Sequence, residues 1–225
     1  MTKSQIADIT WKDSGVPVAA RFDDPYFSLE DGLAETRHVF LVGNHLPARF
    51  VPGFHVAELG FGTGLNMLAT FLAWRAEGAP ANVRYTSFEA FPMTAQDIAK
   101  ALDTFPEAKT VSAPFLSAWA EGARRFDLDG FSVAVVEGDA RQTLTNWQGR
   151  ADAWFLDGFS PAKNPELWGE ELMKQVGAHT APGGTFATYT AAGFVRRALY
   201  AAGFDVERTP GFGRKRHMSR GTLRD

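Results

Sequence analysis

From Phe54 onward the sequence alternates between short apolar segments and longer amphipathic ones, and this alternation limits the fold more than any other feature. Buried strands are predicted for FHVAELG, VRYTSFEA, FSVAVVEGD, ADAWFLD and PGGTFATYT. Helices are predicted for GLNMLATFLAWRAEG, TAQDIAKALDTF, PELWGEELMKQVGAHT and AAGFVRRALYAAG. Such alternation is typical of an α/β fold with a mostly parallel sheet and helices on both faces. FDVERTPGFGRKRHMSRG predicts a hairpin that completes a seven-stranded sheet with an antiparallel C-terminal strand.

The first 52 residues have a different pattern. Turn signals at Asp13-Ser14-Gly15 and Asp23-Asp24-Pro25 separate short β-prone pieces, which predicts a hairpin. Residues 30–42 are predicted to be helical. We therefore expect an N-terminal extension over residues 1–52 that packs on a core domain over residues 53–225 and covers one side of its ligand pocket.

Composition excludes several classes of protein. The 225 residues fit one domain with an extension, and the absence of cysteine excludes disulfides, thiolate metal sites and thiol nucleophiles. The net charge of -3 argues against a globally basic nucleic-acid binder but not against a local basic patch. The five histidines have no metal-ligand spacing, so no metal is expected. No secretory signal or membrane-length apolar run occurs, which favours a cytoplasmic protein.

The segment ELGFGTG follows a predicted strand and opens a predicted helix. Its glycines permit a tight turn and a close approach of the backbone to a ligand. The G-x-G-x-G spacing differs from the G-x-G-x-x-G of dinucleotide-binding folds, and the missing Lys-Ser/Thr pair excludes a P-loop. This loop predicts a set of cofactor-binding residues: Glu58, Gly60, Phe61, Gly62 and Gly64.

Four successive strands carry an acid at or near their carboxyl ends, namely Glu58, Glu89, Asp139 and Asp157. Ligands of open α/β sheets bind at this edge. Glu89 is predicted to accept hydrogen bonds from ribose hydroxyls, and Asp139 from an adenine amino group. An adenosine ligand without phosphate fits best, and S-adenosyl-L-methionine (SAM) is such a ligand. Asn44 is predicted either to hydrogen-bond SAM or to cap a loop.

Long motifs resemble a known family. The order of motifs is similar to class I SAM-dependent methyltransferases with a Rossmann-like fold. More specifically, the chain resembles the methyltransferase domains of the MnmC family along FDDPYFS, ETRHVFLVGNHL, ELGFGTGLNML, FLDGFSPAKNPELW, APGGTFATYTAAGFVRRAL and GFGRKRHM. The resemblance covers nearly the whole chain.

The resemblance implies a substrate and partners. The family methylates the aminomethyl group of 5-aminomethyl-(2-thio)uridine at the tRNA wobble position, which gives 5-methylaminomethyl-(2-thio)uridine. The implied partner is therefore a tRNA anticodon loop. Bifunctional members also carry a FAD-dependent oxidoreductase domain, and no second glycine fingerprint occurs in these 225 residues. The resemblance thus leaves open a stand-alone enzyme or a domain whose flavin-dependent partner is separate or missing.

Asp157 is the expected catalytic residue. Amine methyltransferases often carry D/N-P-P-Y/F/W after the fourth strand, and DGFSP departs from that pattern at Gly158 and Phe159. Asp157 can accept a hydrogen bond from the acceptor amine and orient its lone pair. It can also take the proton, because an alkylamine is mostly ammonium at neutral pH. We expect orientation to be its first role and proton acceptance its second.

Several residues are expected to hold the RNA. Wobble bases lie in a single-stranded loop and are read by stacking on aromatic rings. Phe159 is the main candidate for stacking, and Phe61 and Trp168 are further ones. Phosphate contacts are predicted for Lys163, Arg214, Lys215 and Arg216, and less strongly for Arg196 and Arg197.

Three other functions remain open on the sequence alone. An aminopropyltransferase on the same fold would also use acids at strand ends, and turnover of decarboxylated SAM would identify it. A NAD(P) dehydrogenase would need a different glycine spacing and a catalytic Tyr-Lys or His-Asp pair. A non-catalytic tRNA-binding module would not bind SAM.

Overall fold

A computed structural model describes residues 6–28 and 30–224. A small antiparallel sheet comes first, with strands β1 (Ile9–Trp11), β2 (Pro17–Ala19) and β3 (Asp24–Pro25). The main sheet contains β4 (His55–Leu59), β5 (Arg84–Glu89), β6 (Arg125–Leu128), β7 (Phe131–Glu137), β8 (Ala151–Leu156), β9 (Thr180–Thr188), β10 (Phe204–Pro210) and β11 (His217–Leu223). Its order is β10-β11-β9-β8-β4-β5-β7-β6.

The helices follow the strands along the chain. They are α1 (Gly32–Thr36), α2 (Leu65–Ala76), α3 (Ala95–Leu102), α4 (Pro106–Lys109), α5 (Ala113–Ala120), α6 (Ala140–Thr143), α7 (Glu170–Ala178) and α8 (Gly193–Ala201). A π-helical turn, Arg37–Leu41, and a 3-10 turn, Val42–Asn44, continue α1. Two further 3-10 turns are Leu144–Asn146 and Pro165–Trp168. In the described part of the chain, no helix has the length and apolarity needed to cross a membrane.

The predicted α/β fold is confirmed, with one additional strand. The neighbours β9, β8, β4, β5 and β7 are parallel, and β11 lies antiparallel between β9 and β10. The sequence analysis missed β6, which pairs antiparallel with β7 through a turn at Asp129-Gly130. Both turn residues have positive φ, as a two-residue hairpin requires, so the Asp-Gly pair was the available signal.

The parallel strands place all their carboxyl ends at one edge of the sheet. Because β10 runs in the same direction as β9, its carboxyl end lies there too. The helices α2 and α8 begin at this edge, since each follows the end of a parallel strand. The edge is therefore where side chains from distant parts of the chain meet.

The N-terminal extension shares a core with the methyltransferase-like part. A single apolar cluster contains Val16, Phe27 and Phe40 together with Val56 and Phe155. Phe40 stacks on Phe155 of β8 with ring centroids 5.3 Å apart. The division at residue 52 thus marks a change of topology and not a break in packing.

Asn44 joins the extension to the sheet and is fully buried. Its Nδ2 donates to the carbonyl oxygens of Phe40 and Trp154, at 2.9 and 3.2 Å, and its Oδ1 accepts from Thr185 at 2.6 Å. Arg49 reinforces the joint through hydrogen bonds to Thr185 and to the carbonyl of Asn44. Asn44 therefore has a structural role at this position.

We predict that Asn44→Ala lowers the free energy of unfolding by about 2 kcal/mol, because it leaves buried polar groups without partners. Urea denaturation measures this loss. Asn146→Ala, at an exposed asparagine, is the matched control and should change stability little. Equal stabilities of the two variants would contradict the role of Asn44.

Candidate functional site

A pocket of about 1650 Å³ opens at the carboxyl edge of the sheet. Its walls come from the glycine loop, the strand ends, the N-terminal extension and the β10–β11 turn. Predicted site residues that line it are Gly60, Phe61, Gly62, Glu89, Asp139, Asp157, Phe159, Arg214 and Lys215. Predicted residues outside its lining are Glu58, Gly64, Asn44, Lys163 and Arg216. No group of three or more His, Cys, Asp or Glu residues within 6–28 and 30–224 could hold a metal ion.

The glycine loop has the backbone that its sequence predicts. Gly60, Gly62 and Gly64 all have positive φ, and Gly64 precedes the first residue of α2. A Cβ at Gly60 would lie 3.1 Å from the carbonyl oxygen of Asp157. A larger residue there would combine backbone strain with crowding against the end of β8. The loop thus lies close to the strand end that carries the predicted catalytic acid.

Glu89 supports this loop from the end of β5. Its Oε2 accepts from the Gly62 N–H at 2.9 Å, and its Oε1 accepts from the Phe91 N–H at 2.7 Å. Burial raises the pKa of Glu89, and these backbone donors oppose the rise. A carboxylate has about four lone-pair sites, so Glu89 retains capacity for two ligand hydroxyls.

Asp139 caps α6 and is paired with Arg141. The Arg141 Nε lies 3.0 and 2.9 Å from the two carboxylate oxygens, and its Nη1 lies 3.0 Å from Glu166. The hydrogen bonds from the Arg141 side chain lower the pKa of Asp139. Asp139 is therefore ionised beside the pocket, and any adenine contact would share its carboxylate with Arg141.

Asn66, in the first turn of α2, bridges two buried acids. Its Nδ2 donates to Glu58 Oε1 and to Asp157 Oδ2, both at 2.8 Å. Its Oδ1 accepts from the Thr36 hydroxyl at 2.8 Å. The sequence analysis missed Asn66; the available signal was an amide within the otherwise apolar GLNML segment. The bridge fixes the Asp157 carboxyl at the end of β8.

The two acids differ in ionisation. Burial raises the pKa of Asp157 to about 6, against the effect of the hydrogen bonds from Gly158 N–H and Asn66. Burial raises the pKa of Glu58 to about 8. At neutral pH Asp157 is thus largely ionised and Glu58 largely protonated. Glu58 is fully buried and does not line the pocket, and it is linked to Asp157 through Asn66.

Phe159 lies in an aromatic cluster that the extension completes. Its ring stacks on Phe22 with centroids 4.7 Å apart, and Tyr26 meets its edge at 5.1 Å. Sequence reasoning did not assign Phe22 or Tyr26 to the site. All three line the pocket, so they offer ring surface to a planar group.

The conformation of Gly158 explains why the loop after Asp157 has no proline at this position. Its φ is +144°, which a proline cannot adopt. A Cβ there would also lie 2.2 Å from Leu167 Cδ2. The loop after Asp157 therefore has its own conformation, in which the Gly158 carbonyl accepts from the Tyr189 hydroxyl at 2.8 Å.

Three residues that were predicted to contact RNA have partners within the protein. Lys163 hydrogen-bonds the carbonyl oxygen of Asp23 and ion-pairs with its carboxylate at 3.1 Å, which ties the extension to the loop. Trp168 is buried and donates to the Phe159 carbonyl at 2.9 Å, so it does not stack on a base. Phe61 is 3% exposed and stacks on Trp119 at 5.1 Å, so its ring belongs to the core.

The turn between β10 and β11 reaches into the pocket. Lys215 Nζ lies 2.7 Å from Glu35 Oε1 and 4.3 Å from the ring centroid of Tyr189. Arg214 pairs with Glu30 at 2.9 Å. Glu35 and Tyr189 also line the pocket and were missed. Both cations thus have a carboxylate partner, although the Arg214 side chain is 95% exposed, and their phosphate contacts stay a prediction.

Comparisons with known proteins identify a family and relatives of the chain. The chain matches the model of an S-adenosyl-L-methionine-dependent methyltransferase family over residues 103–224, more than half of its length. It is 47% identical to the tRNA 5-methylaminomethyl-2-thiouridine biosynthesis bifunctional protein MnmC of Caulobacter sp. (strain K31), over 96% of this chain and 38% of that protein. The corresponding Chromobacterium violaceum protein is 45% identical over 99% of this chain and 35% of that protein. The chain thus spans little more than a third of these relatives.

Solved structures share the fold. MNMC2 from Aquifex aeolicus superposes with a TM-score of 0.76 at 24% identity, over 99% of this chain and 72% of that one. Spermidine synthase from Thermotoga maritima superposes with a TM-score of 0.57 at 12% identity, over 97% of this chain and 72% of that one. At these identities the likeness concerns the fold alone.

We predict that Glu58→Gln reduces the loss of stability as the pH rises from 5 to 8. The Glu58 carboxyl has a pKa of about 8 in the folded protein, so it keeps its proton at pH values where the unfolded chain has released it. The free energy of unfolding of the wild type therefore falls as the pH rises to about 8. The slope is at most about 1.4 kcal/mol per pH unit. Urea denaturation at both pH values measures it, and parallel slopes in the two proteins would contradict a protonated Glu58.

Proposed function

The chain belongs to the S-adenosyl-L-methionine-dependent methyltransferases, and from this premise we propose that it methylates the aminomethyl group of 5-aminomethyl-(2-thio)uridine at the tRNA wobble position. The product would be 5-methylaminomethyl-(2-thio)uridine. The MnmC relatives, named for biosynthesis of this nucleoside, support the substrate. The observation that carries the proposal is an ionised acid, Asp157, between the glycine loop and an aromatic cluster in a single pocket.

SAM is the cofactor, and the residues at the carboxyl edge fit it. The positive-φ glycines keep side chains away from the space above the loop. Glu89 would hold the ribose hydroxyls and Asp139 the adenine amino group, as at the strand ends of other adenosine-binding α/β folds. A binding site without a phosphate clamp matches a ligand without phosphate.

SAM supplies an electrophilic methyl group and leaves as a neutral sulfide after transfer. Asp157 would accept a hydrogen bond from the acceptor amine and orient its lone pair toward that methyl group. Its carboxylate can also receive the proton that the nitrogen loses, because its pKa of about 6 leaves it largely ionised at neutral pH. Asn66 holds one oxygen and the Gly158 N–H the other, so the carboxyl plane is fixed before substrate arrives.

Phe159 would stack on the extruded uracil beside Asp157. A base removed from an anticodon loop exposes both ring faces, and an aromatic side chain replaces its lost stacking. Phe22 now occupies one face of Phe159, so the base would either displace that ring or stack at the edge of the cluster. Tyr26 and Phe22 come from the extension, which makes residues 6–28 part of the proposed substrate site.

The partners proposed are a tRNA anticodon loop and a flavin-dependent oxidoreductase, fused or separate, that supplies the aminomethyl precursor. The greater length of the MnmC relatives is consistent with such a domain. A cytoplasmic location is proposed because tRNA is the substrate. An aminopropyl transfer is distinguished by turnover with decarboxylated SAM in place of SAM.

We predict that Glu89→Gln weakens SAM binding about tenfold or more, because an amide offers only one oxygen in place of two. Calorimetric titration of SAM measures the affinity. Glu121→Gln, at an exposed acid after α5, is the control and should bind like wild type. Equal affinities of the two variants would place the ribose elsewhere.

We predict that Asp157→Asn lowers kcat for methyl transfer to tRNA bearing 5-aminomethyluridine by about 100-fold, with unchanged SAM affinity. The wild-type kcat/KM should also fall as the pH drops through about 6, where Asp157 becomes protonated. Transfer of labelled methyl groups measures both. Asp129→Asn, at an exposed turn, is the control. Near wild-type turnover in Asp157→Asn would contradict the proposed role of this acid.

A further inference from the structure

Three arginines and a histidine lie at the carboxyl edge of the sheet. Arg196 is in the first turn of α8, Arg208 is near the carboxyl end of β10, and Arg216 directly precedes β11. His217 pairs with Pro210, two residues beyond Arg208 on the facing strand. We call these four residues the edge cluster.

The topology explains why these residues meet. The helix α8 begins at the edge where β9 ends, and β10 ends at the same edge because it runs in the same direction. His217 is directly opposite Pro210, and residues directly opposite in an antiparallel pair point to the same face. Arg208 is two residues before Pro210 and points to that face as well, which is the face that α8 covers. The core contacts of Phe204 and Val206 with Val195 and Leu199 identify that face.

The arginines of the edge cluster have no carboxylate partner within 6–28 and 30–224. Neighbouring cations do: Arg214 pairs with Glu30, Lys215 with Glu35 and Arg220 with Glu207. Arg208 and Arg216 are exposed. Partial desolvation and the charges of Arg208, Arg216 and Arg196 lower the pKa of His217, which indicates that the positive charges are close together. Such a grouping favours an anionic partner.

The edge cluster adjoins the mouth of the pocket. Arg216 follows Lys215 and Arg214, and both of these line the pocket. A polymer that inserted one unit into the pocket would therefore pass its neighbouring units close to the cluster. Among anionic partners, a nucleic-acid strand fits this arrangement, because its phosphates recur at every unit next to the inserted base.

We propose that the edge cluster binds phosphates of the RNA strand that carries the target nucleotide. This inference rests on the proposed function for its substrate. It adds Arg208 to the predicted contacts Arg196 and Arg216, and these three arginines differ from Arg214 and Lys215 in having no carboxylate partner among the described residues. The cluster would position the strand and carry no sequence information, since phosphates are the same in every tRNA.

The test compares Arg208→Ala/Arg216→Ala with Arg75→Ala for binding of tRNA across a series of salt concentrations. Arg75 is an exposed arginine at the end of α2, at the opposite edge of the sheet. The double variant should bind about tenfold more weakly at low salt. Its slope of log affinity against log salt should be shallower by about 2, one for each lost phosphate contact. SAM affinity should be unchanged, because neither arginine lines the pocket.

The inference would be overturned by a salt slope in the double variant equal to that of wild type, or by an equal loss in Arg75→Ala. The inference would also be overturned if the double variant lost binding to anionic lipid vesicles but bound tRNA like wild type. The edge cluster would then bind a membrane surface. Methyl transfer by the wild type is measured separately. If the wild type binds tRNA through the cluster but transfers no methyl group, the proposed function fails and the RNA surface stands.

Discussion

The amide of Asn66 connects the parts of the molecule that form the site. It donates to an acid at the end of β4 and to another at the end of β8, and it accepts from Thr36 in the N-terminal extension. Two buried carboxylates so close together would repel each other if both were ionised. The raised pKa of Glu58 resolves this, since its neutral carboxyl leaves Asp157 as the charged group. Helix α2, strands β4 and β8 and the extension thus all help to hold the Asp157 carboxylate in position.

The extension lines the pocket as well as packing into the core. Its turn at Asp23-Asp24 holds the loop after Asp157 through Lys163 and the Ser160 N–H. Its aromatic residues complete the cluster around Phe159, and Glu35 fixes Lys215 in the pocket wall. The described part of the extension therefore supplies one wall of the pocket in which we propose that the acceptor binds.

The sequence predicted what depends on local patterns. Periodicity identified the parallel sheet, and the glycine spacing together with acids at strand ends identified the edge where Glu89, Asp139 and Asp157 meet. Asn66, Tyr26 and Glu35 escaped prediction because their roles depend on contacts between distant segments, and the Lys215–Glu35 bond joins residues 180 positions apart. Asn44 shows a related limit of sequence patterns: a polar residue among apolar neighbours indicates a buried hydrogen bond, but not that its partners are Phe40, Trp154 and Thr185.

The central claim is that the carboxyl edge holds the adenosine of SAM with its reactive end directed at Asp157. A crystal structure with S-adenosylhomocysteine, the demethylated product, tests it most directly. The account predicts ribose hydroxyls on Glu89, adenine beside Asp139 and the sulfur facing the space between Asp157 and Phe159. Adenosine bound without contact to Glu89, or a sulfur directed away from Asp157, would contradict it.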